Sequence, residues 1–189
     1  LLAALPRVFQ IVSPRVTNVT MEALREAGEK LRSQGYRRVM FSLVDRHASE
    51  IRGVLDCREP GETDVAALTR FPLPKGSDSS FDVKDVQQQC VISRQSIRLD
   101  DAPNHPLSCE RNINAGMKAV LLVPLISKVR GDVLGTMHVE RTDKLPLSAA
   151  EVHSFEYFAG QLAEAIQATI MLDLLEGSVQ DQPDAMVLL

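Results

Sequence analysis

The residues best able to do chemistry lie along one short stretch, Val133 to Glu140. Its pattern alternates. On a strand, Leu134, Thr136, His138 and Glu140 share one face, while Val133, Gly135, Met137 and Val139 share the other. A face that is apolar at one end and ionisable at the other suits the floor of a small pocket. An imidazole and a carboxylate two residues apart can ligate a metal or a haem, with His105 as a third donor from a facing loop. Lone His and Glu residues at strand spacing are far more often structural, so no metal, cofactor or catalytic residue is assigned. Ser108 near His105 shows neither a nucleophile elbow nor an oxyanion signature, which argues against a hydrolase. Arg111, Asn112 and Asn114 lie where they can close the pocket. The expected ligand-binding set is therefore Thr136, His138, Glu140, His105, Cys109, Arg111, Asn112, Asn114, Val120 and Leu122. Arg, Asn, His and Glu around an apolar floor suit a small polar or anionic ligand of unassigned identity.

Positioning such a floor needs a hairpin. Lys118 to Ser127 is nearly all apolar, as a strand buried on both faces is. Arg130-Gly131-Asp132 then reads as a tight turn into the alternating strand. Upstream, Leu1, Leu5, Val8 and Val12 form an apolar helical stripe that Pro14 is expected to stop. A helix follows from Thr20 to Gln34, with Leu24, Ala27 and Leu31 on one face and Gly35 ending it. Arg38 to Asp45 and Ile51 to Arg58 read as paired strands, and Leu68 to Leu73 as a short edge strand closed by Pro72 and Pro74. Asp82 is the expected N-cap of a helix reaching Ser93, before a strand at Ser96–Leu99. Asp100 to Pro106 is turn-rich, its two aspartates shaping the loop, and Leu107 to Ala115 a helical turn. Ser148 and Glu151 make a capping box that opens the longest helix, Ser148 to Glu176. That helix carries two stripes, Val152, Phe155, Ala159, Leu162, Ile166 and Phe158, Ala165, Leu172, Leu175. The second suits either a neighbouring helix of the same chain or a coiled-coil partner.

Bulk properties narrow the function. A chain of 189 residues, 44% hydrophobic and 24% charged, can bury one good core. With 21 basic against 25 acidic residues and only Arg37-Arg38 as a basic cluster, nucleic-acid binding is not expected. No apolar run approaches the roughly 20 residues that span a bilayer. Cys57, Cys90 and Cys109 are odd in number and show no CxxC, so neither a disulfide framework nor a structural zinc is indicated, and a reducing cytoplasm fits. The ends, Leu1 without Met and the apolar Met186 to Leu189, read as cut from a longer protein.

Four segments carry a resemblance. They are Ile97-Arg-Leu-Asp-Asp-Ala-Pro-Asn-His-Pro106, Gly116-Met-Lys-Ala-Val-Leu-Leu-Val-Pro-Leu125, Gly131-Asp-Val-Leu-Gly135-Thr-Met-His-Val-Glu140, and the helix through Phe158-Ala159 to Ile166. Together they resemble a GAF domain across most of residues 1–170. The resemblance implies an α+β fold, PAS-related: an antiparallel β-sheet with helices on both sides and a long C-terminal helix. It places a ligand pocket between the sheet and residues 82–115. The implied role is a sensory or regulatory domain of a signal-transduction protein, such as a two-component sensor. It would bind a small molecule, dimerise through its terminal helices, and signal to an output module.

Other branches of that family fit less well. Glu140-Arg141, Leu147 and Glu151 replace the Asn-Lys…Phe…Asp-Glu pattern of cyclic-nucleotide binders. Cys109 lacks the adjacent His of plant-type bilin attachment. Free methionine sulfoxide reductases would use Cys109 as nucleophile and Cys90 to resolve it, with His138 and Glu140 at acid positions. Val120 stands where that branch needs a further Glu. A ligand-free dimerisation scaffold is the remaining alternative. Residues 171–189 are expected to hold the helix end and a linker, with Ser178 to Leu189 resembling the opening of a PAS domain.

Overall fold

The computed structural model describes residues 14–46, 48–74, 80–108, 110–141 and 145–180. In chain order the elements are α1 (Pro14–Ser33), β1 (Tyr36–Asp45), β2 (Glu50–Cys57), the one-turn α2 (Val65–Leu68), β3 (Arg70–Pro72), α3 (Val86–Ser93), β4 (Ile97–Leu99), a 3-10 turn (Ala102–Asn104), α4 (Glu110–Asn114), β5 (Val120–Ile126), β6 (Val133–Arg141) and α5 (Ala149–Gln180). The six strands form one antiparallel sheet in the order β3-β2-β1-β6-β5-β4. The α+β arrangement with helices on both faces is the expected one.

Alternation sorts the side chains. Val39, Phe41 and Leu43 of β1, Leu121, Val123 and Leu125 of β5, and Met137 and Val139 of β6 face α1 and α5. Leu24 and Leu31 of α1 meet Phe155, Ala159, Leu162, Ala163 and Ile166 of α5 over that face, forming the main core. The last turn of α1 lies beside the first turns of α5, across a cleft lined by Lys30, Leu31, Tyr36, Glu151 and Phe155, so the two helices run antiparallel. The opposite face carries a smaller cluster, Val86, Cys90, Leu99, Ala102, Met117, Val120 and Leu122, and beside it Met40, Val65 and Ala66.

Local chemistry explains the boundaries. Gly131 takes φ 69° in the β5–β6 turn, as that left-handed position requires. Gly135 lets β1 and β6 approach closely, since a Cβ there would sit 2.0 Å from the Ser42 carbonyl oxygen. The capping box forms. Glu151 Oε2 accepts from the Ser148 amide at 2.8 Å, and the Glu151 amide donates to Ser148 Oγ at 3.3 Å.

Several expectations need correction. The helix expected from Thr20 is already running at Pro14, whose missing N–H is harmless in a first turn. The helix expected from Asp82 begins a turn later, because the Asp85 carboxylate is the one that accepts from the Gln87 amide at 2.7 Å. Leu68 ends α2 and lies outside the edge strand, the Asp64 side chain capping that turn through the Ala67 amide. Leu134, expected on the pocket face, packs against the main core; it is the extra residue where β6 slips past β5 between Leu125 and Ile126. The long helix runs to Gln180, past the expected end at Glu176. The Leu1–Val12 stripe and residues 181–189 lie outside the described residues. Among those described, no helix is long and apolar enough to cross a membrane.

Candidate functional site

Behind the smaller helices, β1 and β6 lay down a continuous polar strip. Arg38 pairs with Glu140, Met40 with His138 and Ser42 with Thr136, so these six side chains share one face of the sheet. Asp56 of β2 stands opposite Met40 on the other side of β1. From β5, Val120, Leu122 and Pro124 pair with Glu140, His138 and Thr136, making an apolar border. Arg38, Ser42, Thr136, His138 and Glu140 are each at most 1% exposed. Residues of such polarity are rarely enclosed without partners.

A bulge supplies the partners. Tyr36 pairs with Arg141 and Arg38 with Glu140, so Arg37 is an extra residue that re-aims its neighbours. Both arginines converge on the loop after β2. Arg37 Nε and Nη2 donate to Glu62 Oε1 at 3.0 and 2.7 Å, while Arg38 Nη2 reaches Glu62 Oε2 at 3.1 Å. Arg37 Nη1 donates to Glu140 Oε1 at 2.9 Å and to the Gly116 carbonyl at 3.0 Å, tying β1 to the segment that enters β5. Arg38 Nε lies 3.4 Å from Asp56 Oδ1, and Asp56 Oδ2 accepts the Val65 amide at 2.9 Å. From α3, Gln87 Oε1 accepts a 3.4 Å bond from the Thr136 hydroxyl.

Burial governs the protonation states. His138 is pushed down to about 3, first by burial and then by the Arg38 charge, so the ring is neutral. Burial raises Glu140 to about 7 against the opposing pull of Arg37 and Arg38. Burial also pushes Glu62 up, but the Arg37 hydrogen bond together with the Arg37 and Arg38 charges holds it below the usual carboxylate range. Cys90, in the apolar cluster beside the strip, is driven up to about 12 by burial and is a protonated thiol.

Satisfaction is incomplete. Arg38 Nη1, Ser42 Oγ, Gln87 Nε2, both ring nitrogens of His138 and Glu140 Oε2 are buried and make no hydrogen bond within the protein. These donors and acceptors are concentrated on a single face of the sheet.

The expected site residues divide. Thr136, His138, Glu140, Val120 and Leu122 meet on this face. His105 stands at the end of the 3-10 turn, half-buried, its Nδ1 accepting from the Leu107 amide at 3.2 Å. Asn114 is exposed at the end of α4, a helix of five residues. Arg111 and Asn112 are placed only as backbone of α4, and Cys109 lies outside the described residues. Arg37, Arg38, Asp56, Glu62 and Gln87 were not anticipated. The adjacent arginines read from sequence as a basic surface patch, and only the strand bulge turns them to buried partners. Among the described residues no group of three or more His, Cys, Asp or Glu is gathered as a metal site needs. The four open clefts described lie elsewhere; the largest, about 570 Å³, runs along the β5 edge between Arg94, Lys128 and Gly160.

A GAF domain model matches residues 19–166. No curated protein matches the sequence. Among solved structures, residues 122 to 287 of a methyl-accepting chemotaxis protein align at TM-score 0.65 and 23% identity, over 84% of this chain and 96% of that one. The GAF domain of a phosphoenolpyruvate-protein phosphotransferase from Coxiella burnetii aligns at TM-score 0.63 and 16% identity, over 91% and 95% of the two chains. A type II free methionine-R-sulfoxide reductase from Thermoplasma acidophilum aligns at TM-score 0.62 and 14% identity, over 81% and 95%. At these identities the likeness is one of fold.

Proposed function

This chain belongs to the GAF domain family, and from that premise we propose that it is a non-enzymatic sensory domain whose buried polar strip takes a small molecule. GAF domains are commonly signalling or sensory modules, and a chemotaxis protein and a cyanobacteriochrome receptor are among the structures of like fold. The observation that carries the reading is the concentration of buried, unpartnered donors and acceptors on the β1–β6 face. A fold that needed this face only for packing would have filled it with apolar residues, as the opposite face is filled.

A mechanical path supports signalling. Arg37 holds Glu140, and the next pair along the strands, Tyr36 and Arg141, grips the start of α5. Arg141 Nη1 donates to Glu151 Oε1 at 2.8 Å, the Tyr36 hydroxyl donates to the same oxygen at 3.4 Å, and the Tyr36 ring stands edge-on to Phe155 at 5.1 Å. Occupancy of the strip would thus bias the first turn of α5. Residues 1–170 form the sensory unit in this reading, and the helix beyond them is the arm toward an output module of a signal-transduction protein. Tyr157, Met171 and Leu172 leave large apolar surface on α5, which suits a homodimer through the terminal helices. The free buried thiols of Cys57 and Cys90 fit a reducing cytoplasm. Reductase chemistry is disfavoured by Val120 between Glu140 and Leu99 in the sheet, and by the protonated Cys90.

One observation favours the alternative, a ligand-free dimerisation scaffold. Met117 and Leu122, both buried, already share one apolar cluster with Val86, Val120 and Leu99 under α3. Calorimetry of the 189-residue chain against a metabolite panel, with sedimentation in parallel, separates the two. A saturable binder that shifts the monomer–dimer equilibrium is expected. Dimers with no binder in the panel would overturn the sensory reading in favour of the scaffold, and methionine sulfoxide turnover lost in Cys109→Ser would overturn the non-enzymatic one.

A further inference from the structure

The unpartnered atoms also constrain what they would receive. Arg38 Nη1 and Gln87 Nε2 can only donate, ionised Glu140 Oε2 can only accept, and the neutral His138 ring offers one of each. A purely cationic group brings donors alone and would leave Arg38 and Gln87 unmet. A carboxylate brings acceptors alone and would leave Glu140 unmet. Charge argues further against an anion. Arg37 and Arg38 face Asp56, Glu62 and Glu140, and Arg58 lies 4.0 Å from Asp56 and 3.3 Å from Asp64, so three arginines meet four carboxylates, one negative charge in excess when Glu140 is ionised. From the other elements packed here, β5 and the residues before it bring Val120, Met117 and the Gly116 carbonyl, and α3 brings Gln87 with the buried Asp85 that accepts its amide.

Resting on the ligand-binding reading above, we infer that the strip takes an uncharged ligand carrying a hydrogen-bond donor beside an acceptor, such as a primary amide, urea or lactam edge, and admits a carboxylate only together with a proton on Glu140. This narrows the small polar or anionic ligand that composition suggested. The proton has a defined place. Glu140 Oε1 is held by Arg37, so the unpartnered Oε2 is the one that takes it and turns from acceptor to donor.

Three planar probes of one shape and different charge test this: acetamide, acetate and acetamidinium. Each is titrated into the isotopically labelled 189-residue chain while the His138 ring and Arg38 guanidinium signals are followed by NMR, with affinities for such fragments on the order of millimolar. Acetamide is expected to shift both saturably, more tightly at pH 8, where Glu140 accepts, than at pH 6, and acetamidinium to bind most weakly. Acetate is expected to weaken about tenfold per pH unit above the Glu140 midpoint, with about one proton taken up on binding, measured by calorimetry in two buffers. In Glu140→Gln, whose fold is checked by signal dispersion, acetate affinity should lose that dependence. Acetate binding at pH 8 as tightly as acetamide without proton uptake, or acetamidinium binding tightest, would overturn the ligand class while leaving the strip a binding site. No shift at His138 with any of the three would overturn the class and the binding reading together.

Discussion

The two faces of the sheet use the same strands to opposite ends. On β1 and β6, Val39, Phe41, Met137 and Val139 interlock with α1 and α5, while their immediate neighbours Arg38, Met40, His138 and Glu140 look the other way into a polar layer. One face is apolar and fully packed; the other encloses ionisable groups with hydrogen-bonding capacity to spare. The difference teaches where each property resides. Stability is concentrated under α1 and α5, and the opposite layer keeps its buried polarity at some expense in folding free energy.

That division can be broken by mutation. Phe41→Ala, at a fully buried site in the main core, should lower unfolding free energy by about 3–5 kcal/mol in urea titrations. If a substitution on the polar strip matched that loss, the contrast would collapse. Instead His138→Leu, which removes two unpartnered ring nitrogens, should stabilise by about 1–3 kcal/mol at neutral pH.

The pH profile sharpens the same contrast. Glu140 is raised from 4.5 to about 7 on folding, so its contribution is present below pH 4.5 and lost as pH rises through about 7. His138 is lowered from 6.5 to about 3, so its contribution is present above pH 6.5 and lost as pH falls through about 3. Across pH 4.5 to 6.5 the two slopes oppose each other, and the wild-type stability should be nearly flat there. Glu140→Gln should uncover a rise approaching about 1.4 kcal/mol per pH unit, and His138→Leu a fall of similar steepness. A steep wild-type slope in that window would show that the two groups are not balanced. The smallest effect belongs to neither face. Ser148→Ala should remove about 1 kcal/mol through loss of the α5 cap, read by thermal unfolding.

Much of this architecture was legible in the chain. The alternation of Val133 to Glu140, the glycine turn before it and the Ser148–Glu151 box are local signals, and each produced the expected element. The polar strip was only half legible. Thr136, His138 and Glu140 show by period where they face, but Arg37 and Arg38 look like solvent-exposed charge until a bulge and a loop glutamate 24 residues beyond Arg38 enclose them. Leu134 misled for a related reason, since one extra residue in β6 reverses the parity on which periodicity depends. Asp85 displaced Asp82 as the α3 cap because both sit a plausible distance ahead of the helix, and only the fold decides which carboxylate meets a free amide.

The grip of Tyr36 and Arg141 on Glu151 acts at one extremity of a helix of 32 residues, a rod of about 48 Å. Leverage follows from that placement. A five-degree tilt imposed at the held end would carry the distal end about 4 Å, close to the spacing between neighbouring strands. In the sensory reading, a displacement slight at the sheet would be geared up into one large enough to re-register whatever the rod touches.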